Sequence, residues 1–254
     1  MKVIKFNEAV VDQAPTILVL GYFDGLHLGH QALFEKARAL ASEKNATISV
    51  LTFPESPTLV FKKFNTDLFK HLTSKAKRCQ LFEDNGVDFL YFTDFTSHFA
   101  KLTSHDFIAN YIRHLSVAAI VVGFDYQFGS DHAGLEALSA YETYQIDKVI
   151  ADGQKISSTA IRQAILDGDV TRANQLLGYA YEVTGIVVHG EARGRTIGYP
   201  TANIESKDSQ YIPAIGVYVV DIEVSGKRYR GMASIGSNDT FGGKNKTLEV
   251  NIFD

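Results

Sequence analysis

A short apolar run, TILVL at Thr16–Leu20, gives way without a spacer to GYFDGLHLGH and then to HQALFEKARALASEKN, whose apolar residues recur at helical spacing. A strand that hands the chain to a helix through a glycine-rich turn belongs to a strand–helix unit. Its lack of polar alternation says that both faces of the strand are buried. The pattern continues as ATISVLTF, KAKRCQLFEDNG, VDFLYF, SHDFIANYIRHL and AAIVVGF. Covered strands separated by amphipathic helices predict an α/β nucleotide-binding architecture, a parallel sheet with helices on each side. In such sheets ligands sit beyond the carboxyl ends of the strands, which places the residues just after TILVL and AAIVV for chemistry.

Beyond ISSTAIRQAILDGDVTRANQLLGYAY the character changes. YEVTGIVVHG, TANIES, GVYVVDIEVSGKRYRGMASIG and KTLEVNIFD read as short strands joined by Gly, Asn and Asp turns, with SGKR as a hairpin turn. A domain boundary is expected near Ala180, giving domains 1–180 and 181–254, the second an antiparallel barrel or meander. A length of 254 residues accommodates either one large or two modest domains, since a typical domain has roughly 100–200.

The balance of 45% hydrophobic and 21% charged residues fits an ordinary globular protein. A formal net charge of −4 argues against a broad basic face, so no nucleic-acid partner is expected and any phosphate site must be local. Apolar runs such as Ala118 to Val122 fall far short of the roughly 20 residues that span a bilayer, and the N-terminus lacks a signal-peptide stretch. A cytoplasmic protein without a membrane partner is expected. The single cysteine, Cys79, sits in an amphipathic helical pattern and is expected to fill a packing role.

The segment after TILVL holds Gly21, Gly25 and Gly29 together with Asp24, His27 and His30. Glycines let backbone N–H groups approach an anion closely, and the helix start after Leu28 offers unpaired donors and the positive end of the helix dipole. Two histidines three positions apart can lie on one side of the turn and donate ring N–H groups to a triphosphate, or to the charge that develops as pyrophosphate leaves. The residues alone leave open a plainer structure, a glycine turn capped by Asp24 with solvated histidines, and a metal held by the histidine pair.

GYFDGLHLGH resembles the signature of the HIGH-type nucleotidyltransferases, in the form G-x-F-D-G-x-H-x-G-H of the prokaryotic bifunctional riboflavin kinase and FAD synthetase family. VVGFDYQFG at 121–129 and ISSTAIR at 156–162 agree, and the resemblance runs over nearly the whole chain. It implies a Rossmann-like domain in which Gly21, Phe23, Asp24, Gly25 and Gly29 bind ATP and His27 and His30 act in catalysis. Gly123 and Asp125 would hold the adenosine; Ser158, Thr159 and Arg162 would hold the triphosphate. The implied reaction is attack of the FMN phosphate on the α-phosphorus of ATP, which needs positioning and charge neutralisation rather than a general base. In two places the chain departs from the family pattern. TFPESPTLVF lacks the histidine of the usual Pro-His-Pro element, and Gln127 stands in a stretch that is usually basic or aromatic.

VVHGEARGRTIGYPTANIE resembles the riboflavin kinase motif, with its core G-x-P-T-A-N at 198–203. The resemblance implies that Gly198, Thr201 and Asn203 bind the nucleotide, with Thr201 and Asn203 as Mg²⁺ ligands. Gly190 and Gly194 would permit a phosphate-covering flap, Arg193 and Arg195 would add charge, and Glu249 would be the general base for the ribityl hydroxyl. Asp239 and Asn251 stand where proline and histidine are usual, and family members continue beyond the last residue here, so a barrel that is short of its usual end is expected. The substrates implied are ATP, riboflavin and FMN, with Mg²⁺ as the cofactor. Two alternatives remain: a nucleotidyltransferase for another small phosphate substrate, and a flavin- or nucleotide-binding protein with impaired catalysis.

Overall fold

The computed structural model describes residues 1–6, 14–63, 66–189, 200–206, 209–238 and 245–253. They form two compact units, Met1–Ser158 with Leu176–Gly178, and Thr159–Gln175 with Tyr179–Asp254.

In the first unit the strands are β1 (Lys2–Lys5), β2 (Thr16–Leu20), β3 (Thr47–Thr52), β4 (Phe89–Phe92), β5 (Val117–Gly123) and β6 (Thr143–Ile146). Helices α1 (Leu28–Lys44), α2 (Thr58–Phe61), α3 (Lys75–Asp84) and α4 (Ser104–Asn110) alternate with them. A two-stranded hairpin follows, β7 (Ile150–Ala151) and β8 (Gln154–Lys155). The six long strands make one parallel sheet in the order β1-β4-β3-β2-β5-β6. Every residue of β2 is buried, as the unbroken apolar run predicts for a central strand. Its register is Leu18 opposite Ser49 on one side and opposite Ile120 on the other.

The strand order reverses at β2: the chain moves outward through β3 and β4, then returns to lay β5 on the other flank of β2. A crevice opens beyond the carboxyl ends of two strands at such a reversal, here after Leu20 and after Gly123. One face of the sheet carries an aromatic-rich core in which Leu18, Leu20, Leu51, Ile120 and Val122 meet Tyr91, Phe99 and Phe107. Each fully buried side chain of this kind contributes about 1.5–3 kcal/mol.

Helix α1 is entered through His27, an extended N-cap residue, and left through Asn45 in the left-handed conformation that ends helices. The stretch SHDFIANYIRHL, expected to be helical throughout, divides into α4 and a separate 3₁₀ turn at Ile112–His114. The 3₁₀ turn brings Ile112, which is fully buried, into the same core as Phe107.

Two further helices, α5 (Ser158–Asp167) and α6 (Val170–Leu177), precede the strands β9 (Gly185–Val188), β10 (Ala202–Ser206), β11 (Gly216–Val224), β12 (Lys227–Asn238) and β13 (Asn245–Ile252). These five strands form an antiparallel sheet in the order β11-β12-β13-β10-β9, the second architecture predicted from the turn-punctuated sequence. Val224 pairs with Lys227 across Ser225 and Gly226, whose φ of 51° and 76° define the two-residue hairpin expected at SGKR. Ala233 and Ile235 point to the buried face, while Val217 and Val219 on β11 point outward and are exposed. No helix among the described residues is long and apolar enough to cross a membrane.

Candidate functional site

The turn after β2 is built around Phe23, which takes a φ of 60° and buries its ring beneath Gly21. A Cβ at Gly21 would lie 2.7 Å from the tip of that ring, so only glycine fits there. Asp24 is also buried: its carboxylate accepts from the Leu72 N–H at 2.9 Å, and its carbonyl accepts from the Ser158 hydroxyl at 3.0 Å. Asp24 thus braces the turn from within, while Gly21, Phe23, His27, Gly29 and His30 line the cavity beside it.

His27 and His30 are stacked, with ring centroids 3.7 Å apart and planes 14° from parallel. Phe23 meets the His30 ring edge-on at 5.2 Å. Burial holds the His27 ring down to about 4, with the positive charge of Lys155 acting in the same direction. Burial and then the neighbouring His27 hold His30 well below the usual histidine range. Both rings are therefore neutral near pH 7. The His30 backbone N–H donates to His27 Nδ1 at 3.3 Å, which leaves the ring proton of His27 on Nε2. Among the described residues the buried His30 Nδ1 has no hydrogen-bond partner, a cost that a bound polar ligand would relieve.

The cavity occupies about 760 Å³ and is lined by two chemically distinct sets of residues. The polar set combines the glycine–histidine turn with Gly123 and Asp125 after β5, and with Lys155 and Ser158. Lys155 arrives on β8, turned into place by a hairpin whose Asp152 and Gly153 both have positive φ. Its ammonium pairs with Asp125 at 2.9 Å and lies 4.1 Å from the centre of the Phe124 ring. The other set is apolar and includes Phe53, Phe95, Phe99, Phe107 and Phe128. Phe53 meets Phe95 and Phe99 edge-on at 4.9 and 5.3 Å, and Phe107 lies 5.5 Å from Phe128. The loop that closes this side is anchored by Asp131, which accepts from the Ser104 N–H at 2.9 Å and the Ser104 hydroxyl at 2.6 Å. Thr159 and Arg162 follow Ser158 on α5 and belong to the second compact unit.

Within the second unit, Asn203 on β10 is paired with Glu249 on β13, so both side chains share one face of the sheet. The Thr201 hydroxyl donates to a Glu249 carboxylate oxygen at 3.0 Å. Asn251, buried one pleat further on, donates through its carboxamide to the Pro200 carbonyl at 2.7 Å and so fixes the entry to this strand. Thr201, Asn203 and Glu249 therefore meet. Gly190, Arg193, Gly194, Arg195, Gly198 and Asp239 lie outside the described residues.

The sequence reading passed over Lys155, Tyr22 and the aromatic wall. A cation immediately before ISST was the available signal for Lys155. The phenylalanines carried none, because they come from four separate segments that only the sheet order brings together.

A parallel sheet with a polar, glycine-lined pocket at its reversal point, joined to an antiparallel sheet bearing clustered oxygen donors, defines a two-part nucleotide-using protein. The FAD synthetase family matches residues 10–160 and the Riboflavin kinase family matches residues 177–254. A bifunctional riboflavin kinase/FMN adenylyltransferase of Listeria monocytogenes is 43% identical over 231 residues, covering 89% of this chain and 73% of its own. Its namesake in Bacillus subtilis is 40% identical, covering 96% and 79%, and that of Escherichia coli 34% identical, covering 100% and 84%. A crystal structure titled as a macrolide-efflux protein from Streptococcus pneumoniae superposes with a TM-score of 0.94 at 48% identity, over 100% of this chain and 84% of that one. The chain belongs to the bifunctional riboflavin kinase/FMN adenylyltransferase family.

Proposed function

We propose that the chain divides flavin nucleotide synthesis between its parts: residues 181–254 phosphorylate riboflavin to FMN, and residues 1–180 transfer the adenylyl group of ATP to FMN. The observation that carries the second reaction is one cavity lined both by a polar, cation-bearing set of residues and by a cluster of phenylalanines. A flavin is a flat apolar ring system with a phosphate on a polar tail, and that cluster offers edges and faces to such a ring.

In adenylyl transfer an oxygen of the FMN phosphate bonds to the α-phosphorus of ATP, and the bond to the bridging oxygen breaks to release pyrophosphate. The nucleophile is already anionic, so the work is positioning and charge neutralisation. His27 presents an Nε2–H donor, and a polyanion placed beside the two rings favours their protonation. Lys155 supplies a fixed charge, and Gly123 and Asp125 take the adenosine. Thr159 and Arg162 are assigned to the triphosphate on their motif alone.

In the kinase half the nucleophile is a neutral alcohol, and Glu249 is assigned to take its proton as the oxygen attacks the γ-phosphorus and ADP leaves. The Thr201 hydroxyl and the Asn203 carbonyl oxygen are hard oxygen donors that suit Mg²⁺. They would hold it together with ATP phosphates, where the ion would neutralise charge on the transferred group. The cytoplasmic location expected from composition is part of the same proposal.

Incubating the protein with riboflavin, ATP and Mg²⁺ and separating the flavins by chromatography tests both halves at once. FMN and FAD are the expected products; FAD absent when FMN is supplied would refute the adenylyl-transfer assignment. Competition by other phosphorylated acceptors in a pyrophosphate-release assay separates this reading from a different acceptor, and tight ATP binding without turnover would point to a protein that only binds.

A further inference from the structure

The part of the cavity wall formed by Phe53, Pro57 and Phe61 is held from behind by a hydrogen-bond chain that touches the cavity only through Tyr22. The Tyr22 hydroxyl lies 3.0 Å from His71 Nδ1, and His71 Nε2 lies 3.0 Å from a Glu55 carboxylate oxygen. With a neutral imidazole the order is fixed: Nε2–H donates to the carboxylate, Nδ1 accepts, and the phenol donates to it. Burial raises Tyr22 above the usual phenol range, so that proton stays in place.

The backbone of the same segment is tied independently. Arg78 is buried and donates to the Phe53 and Pro54 carbonyls at 2.7 and 3.2 Å, while its guanidinium lies 5.5 Å from the centre of the Tyr22 ring. The Thr52 hydroxyl donates to the Tyr22 carbonyl at 3.0 Å. Two ties run through the backbone and one through side chains. The His71 bridge joins the wall segment to the Tyr22 hydroxyl, and Arg78 adds a second contact from the same segment to the Tyr22 ring.

We propose that His71 is a positioning residue for the acceptor substrate: by bridging Glu55 to Tyr22 it sets the gap between the turn after β2 and the Phe53–Phe61 wall, and with it the affinity for the flat ring of the acceptor. The inference rests on the adenylyl-transfer reading above. On that reading ATP occupies the side of the cavity that holds His27, Lys155 and Asp125, and the bridge reaches the glycine–histidine turn only through Tyr22.

The test uses the full chain, with FMN binding followed by quenching of flavin fluorescence and FAD formation followed under steady state. His71→Ala is expected to raise both the FMN dissociation constant and the KM for FMN by about three- to tenfold, the worth of one partly buried hydrogen bond. The KM for ATP, the kcat of adenylyl transfer and riboflavin phosphorylation stay as in the parent protein. His71→Gln, whose carboxamide accepts from Tyr22 and donates to Glu55, restores FMN affinity. A parent protein that neither quenches FMN nor makes FAD removes the adenylyl-transfer reading and this inference with it. An active parent whose His71→Ala variant keeps its FMN affinity overturns the inference alone. So does a variant in which both KM values rise and the kinase activity falls together, or one that glutamine does not rescue.

Discussion

His27 is an N-cap, a cavity wall and a stacking partner at once, and its burial has a measurable consequence. Its folded-state value of about 4 lies below the ordinary 6.5, so between those values the unfolded chain binds a proton that the folded chain refuses. Stability is therefore fully present above about pH 6.5 and declines as pH falls toward 4, by up to about 3 kcal/mol from this residue, with His30 acting in the same direction. Urea midpoints are expected to fall steadily from pH 7 to pH 4.5, and less steeply in His27→Gln. A bound polyanion opposes this loss, because it stabilises the protonated rings. The double variant His27→Ala, His30→Ala is expected to keep its circular dichroism spectrum while FAD formation falls at least about a hundredfold, the scale seen when preorganised donors are removed.

Two short elements, rather than the long helices, position the polar residues of the cavity. The β7–β8 hairpin delivers Lys155 through a turn of two positive-φ residues, and the loop from Gly123 to Ala133 is pinned on α4 by Asp131. Gly129 in that loop has a φ of 75°, and a Cβ there would collide with the Ser104 backbone nitrogen. Gly129→Ala combines an unfavourable backbone conformation with a clash that the α4 start cannot yield to. It is expected to cost about 1–3 kcal/mol in thermal or urea unfolding and to weaken ATP binding, since Asp125 sits on the same loop. The helix α4 itself carries a full capping box between Thr103 and Asp106, so the anchor that Asp131 grips is rigid.

The proposed division of the two reactions between residues 1–180 and 181–254 predicts that each can be silenced without the other. Glu249→Gln retains the shape of the residue but removes its basicity. It is expected to lower FMN formation from riboflavin by about 10²–10⁴-fold while FAD formation from added FMN continues. Chromatography of the two reactions run side by side checks this, and the histidine variant above gives the opposite pattern.

The sequence by itself determined what is short in range. The buried strands, the turn after β2, the Ser225–Gly226 hairpin and the adjacency of His27 and His30 follow from periodicity, glycine and proximity along the chain, because backbone geometry is settled within a few residues. The oxygen cluster of Thr201, Asn203 and Glu249 was legible only through resemblance to a family, since β10 and β13 are joined by register rather than by spacing. Tertiary structure alone decided the rest: the aromatic wall, the Asp125–Lys155 pair, the Glu55–His71–Tyr22 bridge and the neutral state of the two imidazoles. Each of these depends on which distant segments become neighbours and on how much water they exclude. The order of strands in the sheet fixes both, and no local run of residues encodes it.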